Sequence, residues 1–131
     1  TGDYAGLTDV ERGEIAVKTA QNMNVWYYVV HEMEDAIGDC EADSATRNDA
    51  PVHAWDEAWA FYAGSLEEDF GQGSGKLTFA LAEKRCAGFE TCVGASTNAK
   101  VNTELLGLFA TGQSLLRKGD CTEMKLIKER I

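Results

Sequence analysis

The chain has 131 residues, 44% of them apolar, and its 22 acidic against 12 basic side chains give a formal net charge of −10. That length and apolar content suit one domain with its own core. The charge argues against nucleic acid and anionic membrane as partners, because their phosphates would be repelled; a metal ion or cationic partner fits better, although acidity spread over a surface also serves solubility.

The chain opens at Thr1 with no initiator Met and closes on Lys125-Leu126-Ile127-Lys128-Glu129-Arg130-Ile131, a helix-forming run. Residues 1–131 are therefore expected to be a single helical domain, either a mature segment or a piece excised from a longer chain. Thr8 followed by Glu11 is a capping box. It places the first helix from near Asp9 to about Ile37, with Gly38 as its stop and a length of about 45 Å. At helical spacing, Ala16, Met23, Trp26, Val30, Met33 and Ile37 share one face. Glu34 and Tyr27 fall inside that apolar arc, with His31 on its shoulder. A core-facing carboxylate needs a partner, and a cation shared with His31, its neighbour one turn back, would supply one.

Asp39 to Ala50 reads as an acidic loop, and Pro51 suits the first turn of a second helix. That helix, Val52 to about Asp69, buries Val52, Trp55, Trp59, Tyr62 and Leu66, with Asp56, Ala63 and Glu67 along the edge of the stripe. Phe61 points away from the stripe and could mark a contact with another domain. Gly71-Gln72-Gly73-Ser74-Gly75-Lys76 is a turn and not a phosphate loop: Phe70 stands where the first glycine belongs and Leu77 replaces the Ser/Thr. Leu77 to Cys86 reads as a short helix and Ala87 to Thr97 as a loop. Asn98 to Lys118 reads as a fourth helix with Val101, Leu105, Leu108, Phe109, Gly112 and Leu115 inward. Asp120 and Glu123 cap a last helix. No stretch alternates long enough for a strand, so the expected fold is an all-α, up-and-down bundle of four to five helices with a long first helix.

Cys40, Cys86, Cys92 and Cys121 contain no C-x-x-C pair, which favours two disulfides and an oxidising compartment over zinc. Cys86 and Cys92 bracket a short loop, which leaves Cys40 for Cys121, although the spacing by itself does not choose among the possible pairings. No apolar run is long enough to span a bilayer.

Two groups of side chains could carry chemistry. Tyr27, His31, Glu34 and Asp35 offer phenol, imidazole and carboxylate, a donor set suited to iron, and His31-x-x-Glu34 inverts the Glu-x-x-His unit of di-iron bundles. His53, Asp56, Glu57, Tyr62 and Glu67 lie on the second helix, where Asp56 and Glu67 are too far apart to share one ion. If the first two helices pack antiparallel, Asp56 comes close to His31 and Glu34. His53 and Glu57 are also explained by solvation and dipole complementarity at a helix start. No serine has the surroundings of a hydrolytic nucleophile.

The run Ala54-Trp55-Asp56-Glu57-Ala58-Trp59-Ala60-Phe61-Tyr62-Ala63-Gly64-Ser65, after a helix carrying His31-x-x-Glu34, resembles the algal iron-assimilating (Fea-type) periplasmic proteins. Those are similar to domains of marine-algal phytotransferrin-type iron-uptake proteins and, more remotely, to bacterial imelysin and EfeO-like proteins with their HxxE motif. The likeness runs from about Asn24 to Glu67; the imelysin-type motif has Gly where this chain has Val29. The resemblance implies a secreted, periplasmic or cell-surface domain that captures iron, and by position it points to His31, Glu34, Asp56 and Glu57.

The expectation is thus an iron-binding domain working by capture and delivery, not by enzymatic turnover. His31, Glu34 and Asp56 are its expected ligands, with Tyr27, Tyr62, Asp35, Glu57 and Glu67 in reserve. A synergistic anion such as carbonate could be held by Arg47 or Arg85, and sister domains or a cell-surface receptor are the expected partners. The alternatives are a metal-free interaction module and a metalloenzyme built on the same side chains.

Overall fold

A computed structural model describes residues 4–42, 49–66, 74–94 and 98–131. Five helices follow in chain order: α1 (Asp9–Ala42), α2 (Ala50–Ala63), α3 (Thr78–Arg85), α4 (Lys100–Lys118) and α5 (Cys121–Arg130). Among the described residues the extended pairing is confined to an isolated bridge between Cys92 and Ala99, so the domain is all-α. No helix among them is long and apolar enough to cross a membrane.

The capping box forms as expected. The Thr8 N–H donates to Glu11 Oε2 at 2.7 Å and the Glu11 N–H donates to Thr8 Oγ1 at 3.3 Å, and these bonds hold the Glu11 acid below its ordinary value. At its other end α1 does not stop at Gly38 but runs through it to Ala42. A mid-helix glycine weakens a helix by only about 1 kcal/mol, and here the buried stripe continues past it from Ile37 to Cys40. By contrast α2 ends earlier than expected, at Gly64, whose φ of 86° takes the chain out of the helix while its N–H donates to the Ala60 carbonyl at 2.8 Å. Leu66 is then exposed beyond the helix, outside the stripe in which it was expected.

α1 and α2 form an antiparallel hairpin in which Trp26 meets Tyr62 edge to face at 6.2 Å and Tyr28 stacks on Phe61 at 5.2 Å. Phe61 therefore has an aromatic partner within its own chain. Ala36 and Ala58, both fully buried, let the two helices approach closely. The core is completed by Phe79 of α3, by Leu105, Phe109 and Leu116 of α4, and by Met124 and Ile127 of α5.

The buried face of α1 is Val29, Met33, Ala36, Ile37 and Cys40, with Trp26 and Val30 beside it. Ala16 and Met23, expected inward, lie on an exposed first half of the helix, and Met23 is 63% exposed. The true arc is turned by roughly 60° from the expected one at 100° per residue. On α4, Val101 is likewise exposed and the neighbouring Asn102 is buried in its place.

Cys86 pairs with Cys92 across the short loop, and Cys40 pairs with Cys121. The first ties the end of α1 to the start of α5, where the Lys125 and Lys128 ammoniums also pair with Glu41 and Glu34.

Gly112 of α4 marks the tightest packing. A Cβ there would sit 2.4 Å from Trp55 Cζ2, and the Trp55 indole N–H donates to the Phe109 carbonyl at 2.8 Å. The indole is buried and cannot swing away, so Gly112→Ala should destabilise by about 2 kcal/mol through overpacking. Thermal unfolding should show a midpoint several degrees lower; an unchanged midpoint would mean that the ring has room to move.

Candidate functional site

The side chains with chemical potential gather along the solvent side of the α1–α2 hairpin. Glu32 of α1 and Glu57 of α2 lie near enough across the seam for the charge of one to act on the acid of the other. Burial, followed by the negative charge of Glu57, pushes the Glu32 acid above its ordinary value, and His31 opposes this only in part. Among the described residues neither carboxylate has a Lys or Arg partner. Around this pair lie two imidazole–carboxylate contacts, each within one helix. His53 Nε2 is 3.2 Å from Glu57 Oε1, and His31 Nε2 is 3.5 Å from Asp35 Oδ2. Tyr27 stacks over His31 with ring centroids 6.4 Å apart.

The hairpin geometry explains this grouping. Tyr28 and Glu32 stand one turn apart on α1, Phe61 and Glu57 one turn apart on α2, and antiparallel packing pairs ring with ring and acid with acid. The stack of Tyr28 on Phe61 lies one turn from the two acids in this register.

The expected trio of His31, Glu34 and Asp56 does not come together. Glu34 is not turned inward: its side chain is 55% exposed and pairs with Lys128 of α5, on the far side of α1 from Glu32. The cause is the rotated arc, which carries Glu34 out of the core. Asp56 faces α4, where its carboxylate accepts a hydrogen bond from Gln113 Nε2 at 2.7 Å. Tyr27, also expected inside the apolar arc, is 69% exposed. Tyr62 is in the core, its hydroxyl donating to Asn102 Oδ1 at 2.6 Å, and burial together with the Glu83 charge pushes its acid far up. It stays a phenol there and is not offered to the seam. His31, Asp35 and Glu57 do lie on the seam. Glu67 and Arg47 lie outside the described residues, and Arg85 lines a groove against the first half of α1, not the seam.

Glu32 of the seam and Asn102 of the core beside it went unread in the sequence. Glu32 lies off any apolar stripe, and its position becomes notable only when Glu57 is brought opposite. Asn102 joins three helices: besides accepting from Tyr62, its Nδ2 donates to the Phe79 carbonyl at 3.0 Å and to Glu83 Oε1 at 2.6 Å.

Among the described residues no group of three or more His, Cys, Asp or Glu side chains is disposed to hold a metal ion as they stand. The Glu32 and Glu57 pair supplies carboxylate oxygens, with the His53 imidazole one turn before Glu57 and His31 the residue next to Glu32.

A family profile for the low iron-inducible periplasmic proteins, Fea1, matches residues 6–127. The chain belongs to this family. The match extends from three residues before α1 to Ile127 of α5, so it takes in α1 to α4 whole and most of α5, and the Trp-Asp-Glu-Ala-Trp block is one part of it. The Fea1 proteins are periplasmic, and two disulfides suit that compartment. No curated protein and no solved structure matches the chain.

Proposed function

We propose that this chain captures iron as cargo at the α1–α2 seam, with Glu32 and Glu57 as first donors and His53, His31 and Asp35 completing the set. The observation that carries the reading is the facing pair of carboxylates without a Lys or Arg counter-ion. Two like charges held together by helix packing repel each other, and a multivalent cation between them turns that repulsion into attraction. His53 already rests on Glu57 and is largely exposed, so its ring is free to turn toward the same ion. The Fea1 family is named for induction at low iron, which fits capture and delivery of scarce metal without turnover.

Calorimetric titration with ferrous salt under anaerobic conditions tests this. Binding is expected near neutral pH and should weaken as pH falls, because the raised Glu32 acid takes up a proton that the metal must displace. Glu32→Gln and Glu57→Gln should each weaken binding by roughly tenfold or more, since each removes one of few anionic donors. Glu34→Gln and Asp56→Asn should leave it unchanged. Unaltered affinity in the Glu32→Gln/Glu57→Gln double variant would overturn the reading.

The metal-free protein supplies a control. The Glu32 acid is raised from 4.5 in the folded state. Its contribution to stability is therefore fully present below that value and is lost as pH rises through the folded value. At neutral pH the pair is a strain, and Glu32→Gln should raise the melting temperature while abolishing the further rise that iron gives the parent chain. A variant that is more stable yet blind to iron cannot be dismissed as misfolded.

A further inference from the structure

On the opposite flank, the exposed first half of α1 and the helix α3 enclose an open groove of about 620 Å³. Its charge departs from that of the rest of the chain. In a protein with 22 acidic and 12 basic residues, Lys18, Lys76 and Arg85 line this groove, and among the described residues no carboxylate does. Lys18 pairs with Glu14 at 2.7 Å, but both side chains are 62% exposed, and an exposed pair of this kind holds its cation only weakly. Lys76 and Arg85 have no carboxylate partner among the described residues.

A second feature points the same way. Thr78, the first residue of α3, lines the groove, and its hydroxyl oxygen is buried with no hydrogen-bond partner. The preceding residue, Leu77, offers no side-chain cap, so the positive end of the helix dipole is unanswered there. A buried hydroxyl left unmatched is unfavourable by about 1–3 kcal/mol.

The remaining wall is apolar. Leu81 and Phe89 line it, and Phe89, 75% exposed, is carried by the loop that the Cys86–Cys92 disulfide closes. An inorganic anion would satisfy the cations and leave that wall wetted, whereas a neutral apolar molecule would cover the wall and leave the cations and Thr78 unmatched. The volume lies in the range of small-molecule sites, about 300–1,000 Å³. We infer that the groove binds a small organic anion, a carboxylate on an aromatic or aliphatic body, with the carboxylate toward Lys76, Arg85 and the start of α3 and the body against Leu81 and Phe89.

Phthalate is a suitable probe, titrated calorimetrically into the full chain, with dimethyl phthalate as its uncharged counterpart. Saturable phthalate binding is expected that weakens as salt rises, because the contacts are ionic and solvent-facing. The ester should bind roughly tenfold more weakly or not at all, and the Lys76→Gln/Arg85→Gln variant should lose roughly tenfold in phthalate affinity. Both side chains are exposed, so the variant should melt as the parent does. Equal binding of acid and ester, unchanged affinity in the double variant, or no saturation by phthalate would each overturn the assignment. Iron binding at the seam should be untouched by the double variant, which separates a failure here from a failure of the capture site.

Discussion

Removing the link between α1 and α5, as in the Cys40→Ala/Cys121→Ala variant, should lower the unfolding free energy by about 4 kcal/mol on the chain-entropy account. The two cysteines are 81 positions apart, so the bond closes more than half of the chain into one loop and removes many unfolded arrangements. The Cys86–Cys92 bond spans a separation of only 6, and its loss should lower stability by about 2 kcal/mol on the same account. A native-state argument adds to the difference. α5 has ten residues, too few to hold a helix alone, and it buries only Met124 and Ile127. Its ion pairs to Glu34 and Glu41 are partly exposed and contribute about 0.2–1 kcal/mol each. Without the disulfide, α5 should therefore fray before the rest unfolds. Urea titration followed by circular dichroism measures both effects: a lower midpoint and a helical signal that begins to fall early. Equal losses for the two cysteine pairs would contradict the loop-length argument. Set against a typical total of about 5–15 kcal/mol, the larger loss is a substantial share of what keeps the domain folded.

Asn102→Ala should rank close behind, at about 3 kcal/mol, although it removes a single amide. Asn102 is 1% exposed and satisfies three groups at once: it accepts from Tyr62 at 2.6 Å, and it donates to the Phe79 carbonyl at 3.0 Å and to Glu83 at 2.6 Å. Glu83 in turn accepts the Ala99 N–H at 2.9 Å, so α2, α3 and the start of α4 meet through one side chain. Its removal leaves a buried phenol and a partly buried carboxylate short of partners. Tyr62→Phe should lose less, about 1 kcal/mol, because only the Asn102 oxygen is then left short. Thermal unfolding of both variants checks the order; a Tyr62→Phe loss equal to that of Asn102→Ala would mean that the phenol, not the amide, is the hub. Because α3 is anchored by this network and by Phe79, Asn102→Ala should also weaken any ligand held against α3 while leaving the seam intact.

How far local chemistry reads from the chain can be judged residue by residue. Thr8 and Glu11, Pro51, Asp120 and the cysteines are informative because their partners are near in sequence or, for Cys40 and Cys121, because Cys86 and Cys92 pair locally. Glu34 misled because the arc on the first helix was centred with the help of Ala16 and Met23, which lie exposed. Asp56 was legible as a carboxylate at the edge of the core, but Gln113, 57 residues later, decides which way it is used. Asn102 gave no signal, since a polar residue beside an apolar stripe reads as surface until Tyr62 and Glu83 converge on it.

The chain by itself determined that this protein is helical, stapled twice and a relative of the iron-assimilating proteins, because capping, periodicity and the Trp-Asp-Glu-Ala-Trp block are properties of neighbouring residues. Which acid meets which was decided only in three dimensions. Periodicity sets the angles between side chains on one helix, but the rotation of that helix about its axis is set by the helices packed against it. That rotation turned Glu34 toward Lys128 and Glu32 toward Glu57.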